Sequence, residues 1–372
     1  LLDAPELTTW LWLMPLSVIT AGLFYAFNYW STRRKHFRRL AGRQITQSTV
    51  TAATQIGGGM VVHSGPGGLI GGLIVGQLTA TGRLAWQIWR DEGKQLLLYV
   101  KGKDLCKVLV RYKYFPIYST WLSLFNTASA MLPALMLGYF FTPAVVGYYA
   151  LGHRVLSLPM GVIGNSIAQA FFPRATEAKR DGNLDKITYE IFQQLLTIGL
   201  VPILLIAIVA PELFSLVFGY RWFEAGVYVQ WLCVWIILQF ISSPISTIIY
   251  VLEKQQLGLI YNISLFTANL VALCIGGIFQ NPLLAIKLLG LVGAVMYFIY
   301  TVLLLKLAQV RFIKILRVMF KVAINCLPFI LIPVIGVYMA FPSFVNIVVS
   351  AICGFVFIFW YIKRSKEFIN QE

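Results

Sequence analysis

The chain of 372 residues is 59% hydrophobic and 12% charged, with a mean hydropathy of +0.77, whereas soluble domains carry about 25% charged residues. This composition excludes an ordinary soluble domain. The net charge of +16 does not indicate nucleic-acid binding, because the Lys and Arg residues lie in short loops between apolar runs, as in membrane proteins. The three His and the five scattered Cys, with no CxxC pair, predict no metal site, no disulfide framework and no cofactor.

Apolar runs long enough to cross a bilayer recur along the whole chain. A hydrocarbon core about 30 Å thick needs about 20 helical residues at about 1.5 Å each. Lipid offers no partner for backbone polar groups, so such runs form helices. We predict an all-α polytopic membrane protein with about 11 transmembrane helices, spans A to K. In chain order they cover residues 8–30, 45–62, 68–89, 116–137, 143–172, 188–209, 225–251, 256–278, 283–306, 321–340 and 344–362.

The basic residues lie in alternate loops. Of the 30 Lys and Arg, 26 follow spans A, C, E, G and I or lie in the C-terminal tail, whereas the opposite loops hold only Arg221. Cytoplasmic loops carry the excess of Lys and Arg, so the basic loops and the C-terminus are predicted to be cytoplasmic. Leu1 is then outside, and we expect the sequence to be an N-terminally truncated fragment. The alternative is a protein that begins outside after removal of a signal.

Polar side chains form stripes inside four of the spans. On span E, five residues share one face at about 100° per residue; they are Arg154, Ser157, Gly161, Asn165 and Gln169. The stripes of spans B, D and G include Gln55, Asn126, and the set Gln239, Ser242, Ser243, Ser246 and Tyr250. A lone Ser or Thr in a membrane helix usually marks helix packing. Because these faces also carry several amides, we favour a hydrated cleft.

No Asp or Glu lies deep in any span, since Glu190 is within one turn of the cytoplasmic end of its span, and the charged residues farther inside the spans are cationic. Arg154 lies about 16 Å into span E, where an ionisable group indicates function. The alternative for Arg154 is a structural hydrogen bond to an interhelical carbonyl, and for Arg83 and Lys287 it is snorkelling to the headgroups. Guanidinium groups bind diphosphate through two hydrogen bonds, so an acid-free cleft suits an anionic substrate. The predicted substrate-binding residues are Arg154, Arg83, Asn165, Gln169, Ser157, Gln55, Asn126 and Lys287.

No motif of an enzyme is present in the sequence. GxSxG, HExxH and P-loop patterns are absent, and the glycine-rich stretches at 57–59 and 65–72 lack the Lys-Ser/Thr ending of a phosphate loop. We interpret these glycines as a tight connection between two closely packed helices. No catalytic residue is predicted, and the chain is not expected to be an enzyme.

Four segments resemble the Wzx-type polysaccharide flippases of the multidrug/oligosaccharidyl-lipid/polysaccharide (MOP) exporter superfamily. They are Phe27–Phe37 (FNYWSTRRKHF), Val145–Gly182, Leu213–Leu232 (LFSLVFGYRWFEAGVYVQWL) and Ser242–Asn262. The resemblance covers roughly residues 20–310, and the order and spacing of the segments make it specific.

The resemblance implies a MATE-like fold with two six-helix lobes around a central cleft, of which the first lobe is incomplete. Residues 1–115 would be the second half of the N-terminal lobe, 116–310 the C-terminal lobe and 311–372 an additional hairpin. It also implies a flippase that moves a polyprenyl-diphosphate-linked oligosaccharide across the bacterial inner membrane for O-antigen, capsule or exopolysaccharide assembly. A polysaccharide polymerase and chain-length machinery would be further partners.

Two other functions remain open from the sequence. A cation-coupled multidrug exporter of the same superfamily would use intramembrane carboxylates, which these spans lack. A membrane-embedded glycosyltransferase or polymerase would need catalytic acids in large outer loops, whereas the longest outer loop, around residues 211–224, is short.

The predicted orientation can be tested by cysteine labelling in cells, in a chain whose five native Cys are replaced by Ala. Ser64→Cys should react with a membrane-impermeant thiol reagent added outside, because residue 64 lies in a loop without basic residues. Gly102→Cys should react only after the cells are permeabilised. The opposite labelling pattern would overturn the predicted topology.

Overall fold

The computed structural model describes residue 12 and residues 14–369, except residues 35, 62–64, 100–106, 109, 113 and 340. The first residues of span A and the labelling positions Ser64 and Gly102 lie outside the described residues. Across the described ranges the chain is helical and contains no β-strand, so the prediction of an all-α protein is confirmed. The chain divides into two compact units, Leu1–Tyr112 and Lys113–Glu372.

The first unit contains helices α1 (Met14–Arg33), α2 (Phe37–Val61) and α3 (Gly65–Tyr99) in its described part. Helix α2 packs along α3, and α1 packs mainly against α3. Small residues allow this approach, because a Cβ on Gly76 of α3 would lie 2.0 Å from the Thr51 hydroxyl of α2. Close packing through small residues is typical of helix pairs in membranes, and the glycine-rich stretches at 57–59 and 65–72 lie in just such a pair.

The second unit is larger, and its helices follow one another through short connections. They are α4 (Tyr114–Phe140), α5 (Pro143–Pro159), α6 (Asn165–Asp181), α7 (Leu184–Ile208), α8 (Ala210–Phe218), α9 (Phe223–Ile245), α10 (Ile248–Val251), α11 (Gln255–Ile278), α12 (Pro282–Leu307), α13 (Phe312–Tyr338) and α14 (Ser343–Ile369). A π-helical turn, Met160–Gly164, joins α5 to α6, and a 3-10 turn, Tyr220–Trp222, precedes α9.

Helix α9 is the centre of the second unit. The most apolar part of its span is 67% buried, against 22–44% for the other candidate spans of the described chain, and it contacts α5, α6, α7, α8 and α12. Glycines make the closest contacts possible: a Cβ on Gly290 of α12 would lie 2.2 Å from the Trp231 carbonyl oxygen of α9. Helix α11 packs between α4 and α12, and α12 in turn packs against α9.

The hairpin α13–α14 packs mainly against α7, with α14 also touching α8. It therefore lies against the lobe within the second unit. The boundary at residues 112 and 113 falls close to the predicted boundary at 115. The division of residues 113–372 into a lobe and a separate hairpin domain stays a prediction.

Seven helical segments in the described residues are long and apolar enough to cross a membrane. They are Ile117–Phe140, Leu184–Ile208, Tyr220–Val251, Gln255–Ile278, Pro282–Leu307, Phe312–Tyr338 and Ser343–Tyr361. Predicted spans A, B and C are helical over residues 14–30, 45–61 and 68–89, but they do not reach the hydropathy of these seven, because their glycines, amides and hydroxyls lower it. Predicted span E is divided by the π-helical turn into helices of 17 residues each. The total of eleven spans stays a prediction.

Gly290→Ala should destabilise the second unit by about 1–3 kcal/mol, the usual effect of overpacking. The added methyl meets the backbone of α9, which cannot rotate away as a side chain can. The midpoint of thermal unfolding of the detergent-purified protein measures the effect. Gly147→Ala is the matched control, because its Cβ would meet only Trp222 at 3.9 Å. Equal midpoints for both variants would contradict the described packing of α9 and α12.

Candidate functional site

Helices α5 and α6 form one rod that is interrupted by the π-helical turn Met160–Gly164. Pro159 immediately precedes the turn, and proline breaks the helical hydrogen-bond ladder because it has no N–H. The Asn165 side chain donates to the Gly161 carbonyl oxygen at 3.1 Å, which satisfies one acceptor in the turn. Single π-helical turns occur frequently at functional sites. The combination of Pro159, Gly161 and Gly164 was the available signal, but sequence reasoning took span E as an uninterrupted helix.

One side of this rod packs against the core of the second unit. A Cβ on Gly152 would lie 3.0 Å from Val229 of α9, the His153 ring lies 5.9 Å from that of Trp235, and Leu156 is 1% exposed. These contacts fix the rotation of α5. On the opposite side of the rod, the side chains are exposed and the described residues of the second unit do not cover them.

Arg154, Asn165 and Gln169 all lie exposed on the rod, and their role in substrate binding stays a prediction. At about 1.5 Å per residue they extend over about 22 Å. Within the described part of the chain, Arg154 has no hydrogen-bond or ion-pair partner, so the interhelical carbonyl of the alternative reading does not appear there. Leu158 shares this side and is 61% exposed. We call the surface formed by Arg154, Asn165 and Gln169 the polar face of the rod.

The remaining predicted residues of the second unit lie elsewhere. Ser157 is half-buried, and its hydroxyl donates to the His153 carbonyl oxygen at 2.6 Å. The Nζ of Lys287 on α12 lies 4.4 Å from the ring centre of Trp231 on α9. In this cation–π contact the ring attracts the ammonium charge. Asn126 is exposed on α4. The structure does not describe a contact that joins Ser157, Lys287 or Asn126 to the polar face.

The polar stripe of span G is partly buried: Ser242 is 0% exposed, and the other four residues are half-buried. The Ser242 hydroxyl donates to the Gln239 carbonyl oxygen at 3.2 Å, and Ser246 donates to the Ser243 carbonyl oxygen at 2.6 Å. These two hydroxyls need no water, because they bond to carbonyls of their own helix. The buried amide oxygen of Gln239 has no hydrogen-bond partner among the described residues, and a role of this stripe in a hydrated cleft stays a prediction.

In the first unit, Gln55 and Arg83 contact neighbouring helices. The Gln55 amide donates to the Leu69 carbonyl oxygen of α3 at 3.1 Å, which is a packing role. Arg83 of α3 donates to the Thr46 hydroxyl of α2 at 2.5 Å. Arg83 also lines a groove of about 640 Å³ with His36, Arg38, Arg39, Arg43 and Gln87. Sequence reasoning used the run of basic residues after span A only as an orientation signal and missed that it meets Arg83.

One family model matches more than half of the chain. A family model described as "Polysaccharide biosynthesis protein" matches residues 1–227. The lipopolysaccharide biosynthesis protein WzxC of Escherichia coli (strain K12) is 25% identical over 166 residues, which are 43% of this chain and 33% of that protein. The chain thus matches about a third of the length of this curated relative.

Among solved structures, the lipid II flippase MurJ in an inward closed conformation has a similar fold. Its TM-score is 0.57, and the match covers 86% of this chain and 67% of that chain at 12% sequence identity. At this identity the likeness concerns the fold alone.

If the polar face of the rod is hydrated, a cysteine on it should react with a small hydrophilic thiosulfonate reagent, which modifies thiolates in water. Asn165→Cys in a cysteine-free chain should be labelled. Val295→Cys on α12, where the side chain is 50% exposed in an apolar stretch, should resist labelling because it faces lipid. Equal labelling of the two positions would contradict a hydrated polar face.

Proposed function

This chain belongs to the polysaccharide biosynthesis protein family, and from that membership we propose that it flips a polyprenyl-diphosphate-linked oligosaccharide across the bacterial inner membrane. The flipped molecule would feed O-antigen, capsule or exopolysaccharide assembly. The similarity to a lipopolysaccharide biosynthesis protein and the fold shared with a lipid II flippase support this proposal.

The observation that carries the proposal is the unpaired guanidinium of Arg154 on the polar face of the rod. An ionisable group within a membrane span is costly, and it is kept for a function or a partner. Residues 105–176, which include all of α4, α5 and the first part of α6, contain no Asp or Glu. No nearby carboxylate in this stretch therefore neutralises Arg154, and the natural complement is an anion supplied by the substrate.

The chemistry of the polar face suits the head of such a substrate. A guanidinium forms two parallel hydrogen bonds with a diphosphate, at a strength roughly twice that of neutral pairs. Asn165 and Gln169 offer amide donors and acceptors for sugar hydroxyls. The diphosphate and the sugar would pass along this hydrated face while the polyprenyl tail stays in lipid. No bond is made or broken in this transfer, so the protein acts as a transporter and not as an enzyme.

The proposed orientation sets the direction of transport. The basic loops and the C-terminus would lie in the cytoplasm, and the oligosaccharide would be taken up from that side. Release on the opposite side would hand the oligosaccharide to a polymerase and to chain-length machinery. Arg83 and Lys287 would play secondary roles, since each already has a contact within its own unit.

Arg154→Ala should nearly abolish surface polysaccharide per molecule of membrane-inserted protein, in a strain that lacks its own copy of the gene. Loss of a bidentate contact to the diphosphate should weaken binding by about 2–3 kcal/mol, roughly a hundredfold. Arg154→Lys should also be impaired, because it keeps the charge but loses the planar fork. Quantitative immunoblots of membranes and of surface polysaccharide give the ratio.

Arg221→Ala is the matched control, because it removes an exposed arginine in the predicted outer loop and should leave output unchanged. A purely structural Arg154 would behave differently, since its loss would lower protein abundance while the remaining molecules worked normally. Normal output per molecule in Arg154→Ala would rule out the binding role.

A further inference from the structure

The first unit carries a second cationic site, formed by residues other than those of the polar face of the rod. A groove between the first turns of α2 and the middle of α3 is lined by His36, Arg38, Arg39, Arg43, Arg83 and Gln87. These residues come from sequence positions about 40 apart, so folding alone brings Arg83 to the basic cluster. The cluster also lies at the N-terminus of a helix of 25 residues, where the helix dipole adds a partial positive charge.

Acidic residues neutralise only part of this charge. Arg39 forms an ion pair with Asp91, Arg34 pairs with Glu92 at 3.2 Å, and Arg90 also contacts Asp91 at 3.3 Å. The pKa of the exposed Asp91 carboxyl is lowered, first by its hydrogen bond with Arg90 and then by Arg39, so this carboxylate stays ionised. Among the described residues, Arg38, Arg43 and Arg83 have no carboxylate partner.

Arg43 is the most informative of these three. Its side chain is only 9% exposed, and its guanidinium carbon lies 3.4 Å from the ring centre of Phe24 on α1. The Nε atom is buried and has no hydrogen-bond partner in the described part of the chain. Stacking on a ring fixes the plane of a guanidinium and leaves its donor edge for an anion. A buried donor without a partner destabilises the protein, so the position favours a ligand that accepts a hydrogen bond from this guanidinium.

Hydrogen bonds also hold the guanidinium of Arg83 in place at the groove. It donates to the Thr46 hydroxyl at 2.5 Å, and Thr46 in turn donates to the Gly42 carbonyl oxygen at 2.9 Å. Gly42 lines the same groove, and a Cβ at this residue would meet nothing within 4 Å. The two guanidinium groups are thus held by the protein, with open space over Gly42.

We infer that this groove binds a phosphate monoester or a diphosphate. Three unneutralised guanidinium groups match an anion with two or more negative charges better than a phosphodiester with one, and planar forks match phosphate oxygens. The inference does not depend on the proposed transport. The phosphate could belong to a lipid headgroup, since the basic cluster follows span A at the predicted cytoplasmic surface, or to a soluble molecule.

Calorimetric titration of the detergent-purified full chain with inorganic pyrophosphate tests the groove. Gly42→Leu should abolish binding, because it places a bulky side chain in the groove without removing a charge, and its Cβ meets nothing within 4 Å. Gly82→Leu is the matched control, since a Cβ there also meets nothing within 4 Å but residue 82 does not line the groove. Arg83→Gln should weaken binding about tenfold, and Arg33→Gln should not.

A second arm identifies the source of the phosphate. The protein is placed in phosphatidylcholine nanodiscs that contain either phosphatidic acid or phosphatidylglycerol. Native mass spectrometry then counts the lipid molecules that stay bound to the protein. Selective retention of phosphatidic acid that is lost in Gly42→Leu supports a lipid headgroup, whereas pyrophosphate binding without such retention supports a soluble ligand. If neither ligand binds, or if Gly42→Leu and Gly82→Leu behave alike in both arms, the inference is overturned.

Discussion

The cost of placing charge in hydrocarbon governs this structure. An ionised side chain at the centre of a bilayer is disfavoured by several kcal/mol or more, and the sequence accordingly contains no Asp or Glu between residues 7 and 90, 105 and 176, or 254 and 366. Because charge is costly there, the few cationic side chains inside the predicted spans need partners that stabilise them. Lys287 has the ring of Trp231 and Arg83 has the hydroxyl of Thr46. Arg154 has none among the described residues, which is why it carries the proposed function.

The same constraint explains how the second unit is assembled. Helices in lipid gain little from the hydrophobic effect, so they associate by close packing and hydrogen bonds. Glycines let α12 and α8 approach α9 at backbone distance; a Cβ on Gly226, for example, would lie 2.4 Å from the Ala210 carbonyl oxygen. The tight core around α9 holds α5 through Gly152 and Leu156. These contacts fix the rotation of α5 about its own axis. Arg154, on the other side of the helix, therefore points away from the core.

The sequence predicts the helical fold well because hydrophobic length and loop charge depend on local composition. The exposure of Arg154, Asn165 and Gln169 agrees with their spacing in the sequence, but the π-helical turn between Arg154 and Asn165 is not evident from that spacing. The polar residues of span G have a similar spacing, yet Ser242 is buried and the other four are half-buried, because burial depends on the neighbouring helices. Arg43 and Arg83 line one groove only because α2 and α3 are in contact, which no local pattern specifies.

The central claim is that the polar face conducts an anionic, lipid-linked sugar. Its most direct test is transport in liposomes that contain the purified protein and a fluorescent polyprenyl-diphosphate oligosaccharide, with a membrane-impermeant lectin to quench the outer leaflet. We expect the protein to increase the quenchable fraction beyond one half of the label, towards complete quenching, and Arg154→Ala to abolish the increase. Quenching limited to the outer leaflet, together with efflux of a lipophilic cationic dye from the same liposomes, would contradict the claim and favour a drug exporter.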